Sequence, residues 1–237
     1  MAKEKIAVVA GVGQGLGASL CRELCSCGYH VAAVARKPAI LDRLRDEADA
    51  ENHRLTPVIC DLLDQRSIEQ AHASIKALSG DISVYIHNAS LFCMDEYLKT
   101  SADIYENVWR TTCLSAVHFT QLILPDMMSH KQGSLLFTGA TAAVRGGAEF
   151  AAFASAKFAL RGLSQSLARE LGPQGIHVAH IVLDGIIDCD WTRERFGVKK
   201  EKALYPEEIA KIYRFLIEQH PSAWTQEIDL RPSIEKF

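Results

Sequence analysis

The stretch Lys5-Ile-Ala-Val-Val-Ala-Gly-Val-Gly-Gln-Gly-Leu-Gly17 runs a short apolar segment straight into four glycines spread over residues 11–17. An uninterrupted apolar run closed by glycine reads as a β-strand buried on both faces, because a half-exposed strand would alternate polar and apolar residues. The glycine turn after it opens a helical pattern, so backbone N–H groups and a helix N-terminus converge on one point. That arrangement suits a pyrophosphate. The residues expected to cradle it are Gly11, Gly13, Gln14, Gly15, Leu16 and Gly17.

Outward from this loop the same alternation repeats. Strand-like runs HVAAVA (30–35), LTPVIC (55–60) and ISVYIHN (82–88) are separated by helical patterns at 16–27, 39–50 and 67–78. A long helix over 102–130, a strand at 134–138, a helix over 149–171, a strand at 177–183, a helix over 206–218 and a strand-like 226–230 complete the series. Repeated βαβ units predict an α/β protein of Rossmann type, a doubly wound parallel sheet with helices on both faces. With no linker, repeat or low-complexity stretch, one domain is expected over 1–237.

Composition narrows the function classes. The chain has 237 residues and a net charge of −3, which leaves no basic face for nucleic acid. No apolar window reaches the eighteen or so residues of a membrane span, and the apolar run at 6–10 is too short for a secretion signal. A cytoplasmic protein is expected. Seven scattered cysteines suit reduced thiols, and Cys21, Cys25 and Cys27 read as helix packing, with no metal site expected. The end of the second strand, Val34-Ala-Arg-Lys37, carries no carboxylate to hold ribose hydroxyls and repel a 2′-phosphate. Arg36 and Lys37 can pair with that phosphate, so NADP(H) is expected over NAD(H).

The spacing of Gly11, Gly15 and Gly17 resembles the G-x-x-x-G-x-G loop of the short-chain dehydrogenase/reductases. QLILPDM (121–127), SQSLARELGPQG (164–175) and PEEIA (206–210) also look like segments of that family, so the resemblance covers nearly the whole chain. It implies an adenine contact at Asp61 and Leu62 and a ribose-side role for Asn88 and Ala89. His87 and Ser90 depart from the family's N-N-A-G. It also implies a nicotinamide-side role for Gly185 and Ile187, with Asp184 where the family has proline.

The same resemblance locates the catalytic positions. The family's lysine is Lys157, but Phe153 stands at the tyrosine, Ala140 at the serine and Thr112 at the asparagine. Thr141 and His87 are the candidate substitutes for proton transfer, whereas Ser155, two residues from Phe153, should point away from the Lys157 face. Residues 188–205, with Trp191, Arg193, Arg195 and Phe196, are expected to form a lid suited to an aromatic or anionic substrate. Two functions fit: an NADP(H)-dependent oxidoreductase with an altered proton-donor site, or a catalytically silent NADP(H)-binding sensor. The alanine- and phenylalanine-rich helix over 149–171, apolar on most of its circumference, is expected to be buried all round. With the helix over 102–130 it should form the interface of a homodimer or homotetramer.

Overall fold

Side chains of successive strand residues point to opposite faces, so an apolar strand buried in a two-sided sheet must feed two cores. That is the arrangement in the computed structural model, which describes residues 4–235. Ala7 and Val9 of β1 (Lys5–Ala10) enter one core, and Ile6, Val8 and Ala10 enter the other. The first core is closed by α1 (Leu16–Ser26), α2 (Pro38–Ala50) and α8 (Pro206–Ile217). The second is closed by α3 (Gln65–Lys76), α5 (Ser115–His130) and α6 (Ala151–Leu171).

The remaining strands are β2 (His30–Ala35), β3 (Leu55–Ile59), β4 (Asp81–His87), β5 (Gly133–Thr138), β6 (Ile176–Leu183) and β7 (Glu227–Leu230). The sheet order is β3-β2-β1-β4-β5-β6-β7, every neighbouring pair being parallel. The expected doubly wound parallel sheet with helices on both faces is therefore the fold. Glu227 ties the last strand down: Arg161 donates to both its oxygens at 2.6 and 2.7 Å, and the buried His180 ring bonds to Oε2 at 2.9 Å. No described helix is long and apolar enough to cross a membrane. The expected domain over 1–237 includes residues 1–3 and 236–237, which lie outside the described ones.

Three expectations need correction. The helix over 102–130 is broken: α4 (Ala102–Trp109) passes into a wide π turn (Arg110–Leu114) before α5 begins. Ser115 donates to the Thr111 carbonyl at 2.7 Å, and the Thr112 carbonyl accepts from His87, which together favour the widened turn over a regular α-helix. The helix expected from 149 starts at Ala151, because Glu149 adopts φ 66°. Nor is α6 buried all round, since Phe158 is 44% exposed on a flank shared with Ala151, Ser155 and Gly162.

Candidate functional site

The strand order switches direction at β1, which pairs with β2 on one side and β4 on the other, and ligands of such sheets bind in the crevice beyond the C-terminal strand ends there. A cavity of about 790 Å³ occupies that crevice. Its wall brings together Gly11, Gly13, Gly15, Leu16 and Gly17 of the loop with Asn88, Ala140, Thr141, Phe153, Lys157, Gly185 and Ile187.

Two glycines are required by the loop's geometry. Gly11 has φ 91°, and a Cβ on it would lie 2.4 Å from the Ala89 nitrogen. A Cβ on Gly17 would lie 2.8 Å from both the Gly11 oxygen and the Val12 Cα. Gly13 faces open space. Asn88 locks the turn by donating its side-chain amide to the Gly11 carbonyl at 2.9 Å, and Val34 accepts from the N–H groups of Gly11 and Val12 at 3.0 Å each. Gly15 precedes α1 as its N-cap, with no side-chain cap and no acidic residue in the first turn, so the helix's positive end is unopposed.

Lys157 is 2% exposed and donates to the Thr138 carbonyl at 2.8 Å, with its ammonium 5.7 Å from the centre of the Phe153 ring. Burial pulls its amine down to about 7, because a charge in the low-dielectric interior is costly. Between about pH 7 and pH 10 the unfolded chain holds this proton and the folded apo chain has released it. The Lys157 contribution to stability should therefore rise with pH through that window, by at most about 1.4 kcal/mol per pH unit, and above about pH 8.5 it is opposed by the buried thiols of Cys21, Cys25, Cys60 and Cys113, which burial keeps protonated in the folded chain. Urea unfolding from about pH 7 to pH 9.5 checks this: the wild-type slope of stability against pH should be more positive than that of Lys157→Met, and equal slopes would reject the assignment.

Several residues selected from the sequence do not reach the cavity. His87 is corrected as a proton carrier: it is fully buried, Tyr85 Oη lies 2.9 Å from Nδ1, and Nε2 lies 3.1 Å from the Thr112 carbonyl. A carbonyl only accepts, so Nε2 carries the hydrogen and Nδ1 accepts the phenol. Burial, aided by the Lys157 charge, holds the imidazole down at about 3. Thr112 is buried too, with its hydroxyl 3.3 Å from that of Ser90. Ala89 is packed against Gly11 and acts as a wall for the turn. Gln14, Arg36, Lys37 and Asp61 are exposed and Leu62 is partly exposed, all outside the cavity wall. Arg36 and Lys37 form no ion pair among the described residues, and Asp61 accepts from the Leu63 N–H at 3.1 Å. Asp64, not Asp61, caps α3.

Ser155 is exposed and bonds back to Ala152, as its helix position implied. Thr141 does face the cavity, and its hydroxyl donates to Asp184 at 2.6 Å. The segment 188–205 contains an unforeseen helix, α7 (Asp190–Phe196), anchored where Arg193 donates to both oxygens of the buried Asp188 at 2.7 and 2.8 Å. Trp191 and Phe196 line the cavity, while Arg195 stacks over the rings of Phe92, Trp191 and Phe196. Sequence reading missed Phe92, Arg145 and Phe150 on the wall. Phe92 lies in a short apolar run after β4, and Arg145 precedes two glycines after β5; both sites look like ordinary loop until the strands are ordered.

Against known proteins, the family model described as short chain dehydrogenase matches residues 5–197. The 3-oxoacyl-(acyl-carrier-protein) reductase FabG of Salmonella typhimurium is 28% identical over 189 residues, 80% of this chain and 76% of that protein. The human dehydrogenase/reductase SDR family member 4 is 27% identical over 238 residues, covering 94% and 84%. A crystal structure of a short-chain dehydrogenase from Rhodopseudomonas palustris has a TM-score of 0.84 at 32% identity, with 96% of this chain and 98% of that one covered. A metagenomic short-chain oxidoreductase in complex with NADP shares the fold at TM-score 0.85 and 22% identity, covering 97% and 98%. With the family match running from β1 through α7, the chain belongs to the short-chain dehydrogenase/reductase family.

Proposed function

We propose that this protein is an NADP(H)-dependent oxidoreductase whose proton-donor site is altered, acting on a small molecule that needs little acid assistance. The observation that carries the reading is a single cavity uniting the glycine loop with Lys157, while Phe153 and Ala140 stand where the family resemblance expects a phenol and a hydroxyl.

The residues present fit a dinucleotide. The uncapped N-terminus of α1, positioned by the close-packed turn at Gly11 and Gly17, would offer its backbone N–H groups to a pyrophosphate. Arg36 and Lys37, at the end of β2 and unpaired among the described residues, would take a 2′-phosphate, with Asp61 and Leu62 on the adenine side. Asn88 holds the turn, Lys157 would hold the nicotinamide ribose, and Gly185 with Ile187 would flank the nicotinamide. Bound NADP(H) supplies the hydride chemistry. Thr141 lines the cavity with its proton directed at the Asp184 carboxylate, which leaves its oxygen to accept from a substrate hydroxyl. The exposed flank of α6 around Phe158 supports self-association through α4, α5 and α6 as a homodimer or homotetramer.

Fluorescence titration with NADPH and NADH, followed by NADPH oxidation over saturated ketones, enones and quinones, tests the reading. NADPH should bind about tenfold or more tightly than NADH, a gap of about 1.4 kcal/mol, and quinones or enones should outpace ketones. Equal affinities would remove the NADP preference. Tight binding without oxidation of any acceptor would favour the silent sensor.

A further inference from the structure

We propose that the cavity selects a substrate with a flat apolar body and one anionic end of carboxylate type, the body lying on the aromatic wall and the anion on Arg145. The inference rests on the reading of this cavity as the substrate site.

The apolar half is a ring cluster centred on Phe92. Phe150, Phe153, Trp191 and Phe196 lie 5.9, 5.3, 5.8 and 5.7 Å from its ring centre, and three of the four meet it edge-on at 76–77°. All five line the cavity, so an aromatic or extended apolar body meets rings contributed by the loop after β4, the start of α6 with its N-cap Phe150, and α7. Aliphatic polyols would leave that wall wet without hydrogen bonds in return.

The polar half is different in kind. Arg145 lines the same cavity with its side chain 53% exposed, and among the described residues its guanidinium makes no hydrogen bond. Its nearest carboxylate oxygen, Asp184 Oδ1, lies 3.6 Å away and already accepts from Thr141 at 2.6 Å. The other Asp184 oxygen faces Arg231 at 3.6 Å, so the buried carboxylate is shared between two guanidiniums. Asp184 thus orients Arg145 without using up its donors. A guanidinium presents a planar fork of N–H groups that matches a carboxylate in two parallel bonds. Beside it, a Cβ placed on Gly146 would have nothing within 4 Å, which leaves room for a ligand's end. Of the other charged groups on the wall, Lys157 is committed to Thr138, the Asp184 carboxylate faces Arg145 and Arg231, and Glu235 is the remaining carboxylate.

Calorimetry on the protein saturated with NADP⁺, comparing 2-naphthoate with its neutral isostere 2-naphthamide, tests the proposal. The carboxylate should bind about tenfold more tightly, and the gap should shrink with added salt. Arg145→Gln should bring the ratio close to one, and Arg145→Lys should restore part of it. Equal affinities in the wild type, or a preference that survives Arg145→Gln, would overturn the assignment. So would a tenfold loss of NADP⁺ affinity in Arg145→Gln, since the arginine would then serve the cofactor. If NADP⁺ does not bind at all, the functional reading fails, and the same pair titrated into the free protein still decides whether Arg145 selects the anion.

Discussion

Gly11→Ala is expected to lower NADPH affinity at least a hundredfold and to cost on the order of 3 kcal/mol of stability. The added methyl carbon would fall 2.4 Å from the Ala89 nitrogen and 2.5 Å from its Cα, both backbone atoms that cannot swing aside. The residue would also be held at φ 91°, where an L side chain is strained. The turn cannot retreat without releasing Val34, which accepts from Gly11 and Val12, and Asn88, which donates to the Gly11 carbonyl. Any shift displaces the start of α1, and with it the N–H groups expected to hold the pyrophosphate. Gly13→Ala is the matched control, because nothing lies within 4 Å of its added carbon and its melting temperature should stay at the wild-type value. Thermal melts and NADPH titrations of the two variants separate folding from binding. A Gly11→Ala protein that binds NADPH like the wild type would show that the loop does not cradle the cofactor.

The second large effect is a gain. Phe153→Tyr combined with Ala140→Ser should raise NADPH-dependent reduction of a simple carbonyl by roughly a hundredfold to ten-thousandfold, the usual worth of a positioned general acid, or about 3 to 5 kcal/mol. Phe153 and Lys157 are one helical turn apart on α6, with Nζ 5.7 Å from the ring centre, so a phenol there would stand beside an amine that, whenever it is protonated, lowers the phenol's pKa. Ala140 lies on the same cavity wall in extended backbone just past β5, so a serine would bring its hydroxyl to that wall without backbone strain. Each single change should give much less than the pair, since a phenol and the hydroxyl that positions it act as a unit. Steady-state rates at saturating NADPH read the outcome. No gain from the double variant would mean that the aromatic wall holds the substrate carbonyl away from position 153, and the altered-acid reading would lose its geometric basis.

The glycine turn, the doubly wound parallel sheet implied by repeated βαβ units and the Phe153/Lys157 pair were legible because they depend on local periodicity and on glycine, whose conformational needs show directly in the chain. The fate of His87 was not legible. A histidine at the end of a strand could face the crevice or the interior, and only the paired positions of Tyr85 and the π turn decide that both its nitrogens are consumed inside. The π turn was hidden for the same reason, since Thr112 spends its carbonyl on a residue 25 positions away. Arg145, Phe92 and Phe150 sit in loops whose spacing carries no signal, and they meet only because β4 and β5 are neighbours in the sheet.

By itself the sequence determined a doubly wound sheet, a glycine turn between the first strand and the first helix, and a phenylalanine one helical turn before Lys157, all properties of residues close together in the chain. Tertiary structure alone decided which side chains share the cavity and which titrating groups are buried out of reach. Those outcomes depend on long-range packing and on the loss of water around a charge, which no local pattern encodes.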